Sequence, residues 1–241
     1  MSESVRVLVG VCTYNEVGNV SALVSRLRSA LPEADILFVD DNSPDRTSDE
    51  VRRCASEDDR VRLIERFDER GLGSAIIRAA VVAVDDDYDF FINLDADLSH
   101  DPAQLPALLQ AAIQDDAVDV AIGSRYVAGG KIVGWPLRRR IMSRMVNRFA
   151  TIFLRLPVRD CSGSMRCYRV STLRDLDLTS LQCEGYALLE ELLVRLNRPG
   201  RKMVERPITF TERQDGESKL TLREAIRSVG FMFRLALQRS H

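Results

Sequence analysis

The sequence predicts an α/β protein: a Rossmann-like, mostly parallel sheet with helices on both faces. Three observations predict it. Short apolar runs rich in β-branched residues alternate with stretches of helical period through the first 124 residues. Three of those runs stop abruptly in polar, acid-rich loops, and open α/β sheets gather such loops at one edge. The 241 residues, 45% hydrophobic and 29% charged, suit one large globular domain.

The elements follow in order. Val5 to Cys12 is a near-continuous β-branched run, the first strand, and Thr13-Tyr14-Asn15-Glu16 is its loop. Asn19 is placed to cap a helix running to about Leu31, with Val20, Leu23, Val24, Leu27 and Leu31 on one face and Pro32 as its stop. Ile36 to Val39 is the second strand and ends in Asp40-Asp41-Asn42-Ser43-Pro44-Asp45. A helix to about Ala55 follows, with acids in its first turn, and Val61 to Glu65 is the third strand. Gly71-Leu72-Gly73-Ser74 opens a helix to Val84; lacking the full G-x-G-x-x-G pattern and following the third strand, it argues against a dinucleotide loop. The fourth strand begins at Phe90 and ends in Asp95 and Asp97, a helix covers about Ala103 to Gln114, and Val118 to Ile122 is the fifth strand.

The second half differs in texture. Gly129-Gly130 and Trp135-Pro136 mark an irregular loop. Leu137 to about Leu156 reads as a basic amphipathic helix with Arg138, Arg139, Arg140, Arg144 and Arg148 beside Ile141, Met142, Met145, Val146, Phe149, Ile152 and Phe153, suited to a headgroup interface, although a packing helix with a solvated basic face is the plainer reading. Residues Asp160 to Arg169 form a compact polar and aromatic segment, Tyr186 to Leu196 a helix, and Met203 to Thr211 a strand. Arg213 to Lys219 is a loop, and about Leu222 to Gln238 a second basic amphipathic helix with Phe231, Met232 and Phe233.

The net charge of −2 hides an asymmetry: residues 1–124 hold 11 Lys+Arg against 25 Asp+Glu, and residues 125–241 hold 23 against 11. The second half is therefore suited to an anionic face such as phosphates or an acidic membrane surface. Five scattered cysteines without C-x-x-C spacing read as reduced thiols, not as a zinc site or disulfides. The start, Met-Ser-Glu-Ser-Val-Arg, reads as neither signal nor transit peptide, and no apolar run reaches the roughly 18–20 residues of a spanning helix.

Asp95 and Asp97 carry the sharpest chemistry. Side chains alternate along an extended chain, so two acids one residue apart point the same way. Two hard oxygen ligands at the end of a buried strand suit Mg²⁺ or Mn²⁺ held jointly with a diphosphate. A solvated acidic turn is the plainer reading of the pair taken alone.

Five motifs in order change that reading. Thr13-Tyr14-Asn15-Glu16, Val39-Asp40-Asp41-Asn42-Ser43-Pro44-Asp45, Asp95-Ala96-Asp97-Leu98-Ser99-His100, Gly123-Ser124-Arg125-Tyr126 and Gly216-Glu217-Ser218-Lys219 follow one another, with the basic Trp135–Asn147 segment between the last two. Over about Val5 to Leu222 the chain resembles the dolichol-phosphate (polyprenyl-phosphate) mannose synthases, family 2 inverting glycosyltransferases of GT-A fold. The resemblance implies one GT-A domain over residues 1–241, with a nucleotide-sugar-binding half, 1–124, and an acceptor- and membrane-facing half, 125–241. It implies that Tyr14, Glu16, Val39 and Asp41 hold the base and ribose of the donor, and that Asp95, Ala96 and Asp97 form the metal and diphosphate site. It places Arg125 in the donor site, Arg213 and Lys219 on a loop closing over phosphates, and Arg139 and Ser143 near the acceptor phosphate. Asp97, Arg125, Arg213 and Lys219 are the expected catalytic group.

The implied reaction moves a mannosyl residue from GDP-mannose to a polyprenyl phosphate with inversion, giving a β-linked product. The implied partners are the nucleotide sugar, the lipid phosphate, an anionic membrane surface on the cytoplasmic side and a membrane-anchoring subunit, with no nucleic acid. UDP-glucose is the alternative donor, since the residues named above do not separate guanine from uracil. A phosphoryl- or nucleotidyl-transfer enzyme would need a phosphate-gripping Gly/Lys loop near the N-terminus, which Val5–Glu16 lacks. A non-catalytic lipid-phosphate binding module would not need the acids and cations together. Two departures stand out: Cys12 where relatives often carry Pro, and Ser164 where an aromatic is common. Glu190 and Glu191 read as structural or orienting, because a phosphate acceptor is already anionic near pH 7.

Overall fold

A computed structural model describes residues 5–181 and 187–212. Arg213, Lys219 and the helix expected over 222–238 lie outside the described residues. In chain order the elements are β1 (Val7–Thr13), α1 (Val17–Ala30), β2 (Asp35–Asp40), α2 (Thr47–Glu57), β3 (Val61–Glu65), α3 (Leu72–Asp85), β4 (Phe90–Asp95), α4 (Leu105–Ile113) and β5 (Val118–Ser124). There follow β6 (Lys131–Val133), α5 (Leu137–Phe153), β7 (Arg166–Arg169), α6 (Val170–Arg174), α7 (Ala187–Asn197), β8 (Lys202–Pro207) and β9 (Thr209–Thr211).

Seven strands form one sheet in the order β3-β2-β1-β4-β7-β5-β8. All pairings are parallel except those of β7, which runs antiparallel between β4 and β5. Period-two alternation sends Val7, Val9 and Val11 of β1 and Ile36 and Phe38 of β2 to the face covered by α1, α2 and α4. Leu8, Leu37, Val39 and Phe91 face α3, α6 and α7. Strands buried on both sides are continuously apolar, which is why the sequence marks them so clearly. Gly10 is fixed by close packing: a Cβ there would lie 2.6 Å from the Phe91 ring and 2.9 Å from Ala79.

Four expectations are corrected. Helix α1 starts at Val17, so Asn19 lies inside it and is not its cap. The loop after β2 satisfies the early donors, with Glu16 N–H bonded to Thr47 Oγ1 at 2.9 Å and Val17 N–H to Asp45 Oδ2 at 3.1 Å. Asn19 Nδ2 instead donates to Glu16 Oε2. The loop expected over 129–136 contains the short strand β6. The single strand expected over Met203–Thr211 divides at Ile208 into β8, paired with β5, and β9, paired with β6. The compact segment 160–169 contains β7. Its Arg166 is fully buried and donates to the carbonyls of Gly163, Leu189 and Cys161 at 2.9, 2.5 and 2.5 Å.

Candidate active site

Strands β2, β1 and β4 are parallel neighbours and finish level, with Thr13 paired to Asp40 and Cys12 to Asp95. Their three polar loops therefore meet at one edge. Asp40 binds two of these loops together: it accepts from Thr13 Oγ1 at 2.8 Å, from Ser43 N and Oγ at 2.8 and 2.6 Å, and from Ser48 Oγ at 2.8 Å. Tyr14 lies half-buried above that edge with the Arg70 guanidinium 5.7 Å from its ring centroid. Glu16 begins α1. Val39 is 0% exposed and lies in the core, so only its backbone can meet a ligand.

Asp41 is 7% exposed and does not stand alone. Its Oδ1 accepts from Arg66 Nε at 2.7 Å, and its Oδ2 accepts from Gly71 N at 2.7 Å. Arg66, itself buried, also donates to Ser74 Oγ at 2.7 Å and to Gly71 O at 3.0 Å. The carboxylate and guanidinium thus form one neutral, fixed unit at the end of β2.

At the end of β4, Leu98 takes the left-handed conformation, φ 58°. Such a backbone in a branched residue costs about 1 kcal/mol or more and is concentrated at functional loops. The turn brings Ser99 N–H to Asp97 Oδ1 at 3.0 Å. Asp95 Oδ2 accepts from Ser164 Oγ at 2.5 Å, and His100 Nδ1 stands 3.6 Å from the same oxygen, beyond a hydrogen bond. Ala96 between the two acids is buried. Burial first, and Asp97 second, push the Asp95 carboxyl up to about 6, against the downward pull of Ser164 and Arg125. Burial and then Arg125 push the His100 imidazole down to about 4, so the ring is neutral near pH 7.

These residues fit a hard divalent ion. The raised Asp95 carboxyl, set beside a second acid, is relieved by a cation between the two. Among the described residues no group of three or more His, Cys, Asp or Glu side chains is assembled around an ion. Mg²⁺ in particular is commonly held by one or two carboxylates together with substrate phosphates and water.

Arg125 follows β5. Its Nε and Nη2 donate to the two oxygens of Asp160 at 2.8 Å each, and Nη2 also reaches Ser162 Oγ at 2.9 Å. Burial raises the Asp160 carboxyl, but Arg125 more than offsets it and holds it below the usual carboxylate range. Arg125 also lies 5.5 Å over the Phe210 ring, whose other neighbours are His100 and Trp135. Arg139 and Ser143 occupy one face of α5, one turn apart. Arg139 Nη1 donates to Glu212 Oε1 at 2.6 Å, and Ser143 Oγ and the Tyr126 hydroxyl are 2.7 Å apart.

Of the predicted site residues, Tyr14, Glu16, Val39, Asp41, Asp95, Ala96 and Asp97 share the edge formed by β1, β2 and β4, with Arg125 on the Asp95 side. Arg139 and Ser143 belong to the α5 side, joined to that edge by Trp135, Phe210 and His100. Arg66, His100, Asp160, Ser164, Phe210 and Glu212 are absent from the sequence prediction. His100 carries a signal in its place in the Asp95–His100 motif and Ser164 only as a departure from the resemblance; the others reach the site by long-range packing.

A parallel sheet with its acid pair at the switch edge, and an antiparallel strand inserted beyond it, is a GT-A-like architecture. A family model described as glycosyl transferase family 2 matches residues 8–177, and the chain belongs to that family. It is 42% identical over 216 residues to the undecaprenyl-phosphate mannosyltransferase of Micrococcus luteus, covering 90% of this chain and 88% of that one. It is 39% identical over 225 residues to the polyprenol monophosphomannose synthase of Mycolicibacterium smegmatis, covering 92% and 84%. Among solved structures, the mannosyltransferase from Pyrobaculum calidifontis in complex with GDP-Man and Mn²⁺ superposes with a TM-score of 0.65 at 16% identity, over 99% of this chain and 65% of that one, a likeness of fold.

Proposed function

We propose that this chain transfers a mannosyl residue from GDP-mannose to the phosphate of a polyprenyl (dolichyl-type) lipid, with inversion, giving a β-linked polyprenyl-phosphate mannose. The observation that carries the reading is the acid pair Asp95/Asp97 at the sheet edge of a chain 42% identical to an undecaprenyl-phosphate mannosyltransferase.

The donor lies along the edge formed by β1, β2 and β4. Tyr14, Glu16, the backbone at Val39 and the Asp41–Arg66 unit receive its base and ribose. Asp95 and Asp97 would hold Mg²⁺ or Mn²⁺, which when bound neutralises charge gathering on the departing diphosphate. Ser164 fixes the Asp95 carboxylate by taking up Oδ2. Arg125, locked by Asp160, keeps a permanent positive charge beside the acid pair. Arg213 and Lys219 are assigned to the diphosphate on resemblance, since they lie outside the described residues.

Arg139 and Ser143 receive the acceptor phosphate. Its oxygen is already anionic, with a second pKa of about 6, so orientation matters more than a general base. The acceptor's prenyl chain stays in a bilayer, and the basic face of α5 brings the site to its cytoplasmic surface. Among the described residues no helix is long and apolar enough to cross a membrane.

The test offers labelled GDP-mannose and UDP-glucose side by side with polyprenyl phosphate and Mn²⁺. Label from GDP-mannose should enter the lipid phase; transfer from UDP-glucose alone would overturn the donor assignment.

A further inference from the structure

Two partners of different kinds hold Arg139. Its guanidinium lies 4.1 Å over the Trp135 ring, and its Nη1 donates to Glu212 Oε1 at 2.6 Å. The ring meets the flat face of the guanidinium and leaves its N–H edge to anions. Trp135 is in turn fixed edge-on against Phe210, at 5.4 Å between centroids. The cation therefore keeps its place whichever anion occupies its edge.

Glu212 is brought there by its backbone. Its N–H donates to Val133 O at 2.9 Å, continuing the pairing of β6 and β9. Gly134, with φ 89°, makes the approach possible: a Cβ at that position would lie 2.8 Å from Glu212 Cβ. The two side chains are 39% and 36% exposed, so the carboxylate can swing into water by rotation about its own bonds, without a backbone change.

We propose that Glu212 holds the acceptor site in check: its carboxylate is the resident counter-ion of Arg139 and yields to a phosphate monoester. The proposal rests on the assignment of Arg139 to the acceptor phosphate. A monoester carries about −1.5 to −2 charge at pH 7 and three strong acceptor oxygens, against one charge and two oxygens for a carboxylate. It can displace Glu212. A phosphodiester has one charge and no such advantage, and an alcohol has none. Glu212 thereby sets the affinity of the site, lowering it by the same factor for every anion that must displace it.

The test uses the full chain without donor, at fixed ionic strength, with a water-soluble short-chain prenyl monophosphate and its methyl diester as probes in calorimetry. Glu212→Gln should tighten the monoester about three- to fivefold, the scale of a part-exposed ion pair. It should tighten the diester by a similar factor, since both ligands displace the same carboxylate. In an Arg139→Gln background the same change should do nothing. If Arg139→Gln weakens the monoester while Glu212→Gln leaves affinity unchanged, the role of Glu212 is overturned and that of Arg139 stands. Loss of both probes alike in Glu212→Gln would show a merely structural carboxylate and also overturn it. If Arg139→Gln binds the monoester as the parent does, the assignment of Arg139 fails, and this inference with it.

Discussion

The Ser164 hydroxyl donates to Oδ2 of Asp95 across 2.5 Å, joining the start of the antiparallel insertion to the end of β4. Ser164 is 2% exposed. By occupying Oδ2 it leaves Oδ1 as the oxygen available to an ion. Groups that orient a metal-binding carboxylate commonly contribute 10–100-fold to affinity. Ser164→Ala should therefore weaken Mn²⁺ binding about tenfold in calorimetry with Mn²⁺ alone. Unchanged affinity would remove Ser164 from the site.

Asp97 lies two residues on, past the end of β4. Asp97→Ala should lower mannosyl transfer by at least about 100-fold, the scale of losing one group that stabilises developing charge. The parent protein should lose transfer in EDTA and regain it with Mg²⁺ or Mn²⁺. Full activity in EDTA would overturn the metal assignment for both acids.

Asp160 is 0% exposed and pairs with an Arg125 that is itself buried. Removing one member of such a pair leaves an unpaired charge in the interior, typically at about 3–5 kcal/mol. Asp160→Ala should lose stability of that order in urea unfolding. A loss below about 1 kcal/mol would mean that water reaches Arg125 and that the pair is not a structural lock.

The legibility of the molecule follows the range of its interactions. Strands β1, β2, β4 and β5 are readable because burial on both faces leaves nearly continuous apolar runs, and Asp95/Asp97 because they end one of them, while β3 at the sheet edge shows as a short, half-buried run. Strand β7 is not readable, since Arg166 and Arg169 look exposed until the carbonyls that receive them are in place. Asp160 is 35 residues from Arg125 and Ser164 is 69 from Asp95, separations at which spacing carries no signal. The α1 cap failed for a similar reason: its donors are met by Asp45 and Thr47, across the sheet edge.

Glu190 is 7% exposed on α7, and burial pushes its carboxyl up to about 7 against the opposing effect of Arg166. In the unfolded chain it ionises near the ordinary glutamate value of 4.5. Between those values the folded state keeps a proton that the unfolded state has lost, so stability falls as pH rises through the window. Above about 7 the full penalty is present, and below about 4.5 it is absent. Glu190→Gln should remove this dependence, with its thermal midpoint rising relative to the parent from pH 4.5 to 7 and then levelling. Parallel pH profiles for the two proteins would show that Glu190 is not buried as a neutral acid.

Helix α5 turns its apolar side outward. Leu137, Ile141, Met142, Met145, Phe149 and Ile152 are each at least 50% exposed, while Asn147, Ala150 and Thr151 face the protein. An ordinary packing helix does the reverse. Arg138, Arg140, Arg144 and Arg148 are exposed along the same helix. An apolar face flanked by arginines is the composition of a helix lying in a headgroup interface. Each such cation contributes about 1 kcal/mol near an anionic surface, and salt weakens the attraction. The protein should bind anionic liposomes at low salt and largely release at about 0.5 M, where the Debye length is only a few Å. Replacing Arg138, Arg140 and Arg144 together with Gln should weaken binding in a flotation assay. Donor binding, which depends on the distant edge formed by β1, β2 and β4, should stay close to that of the parent. If the triple variant floats as the parent does, α5 is not the membrane contact, and the basic segment 222–238, outside the described residues, becomes the next to test.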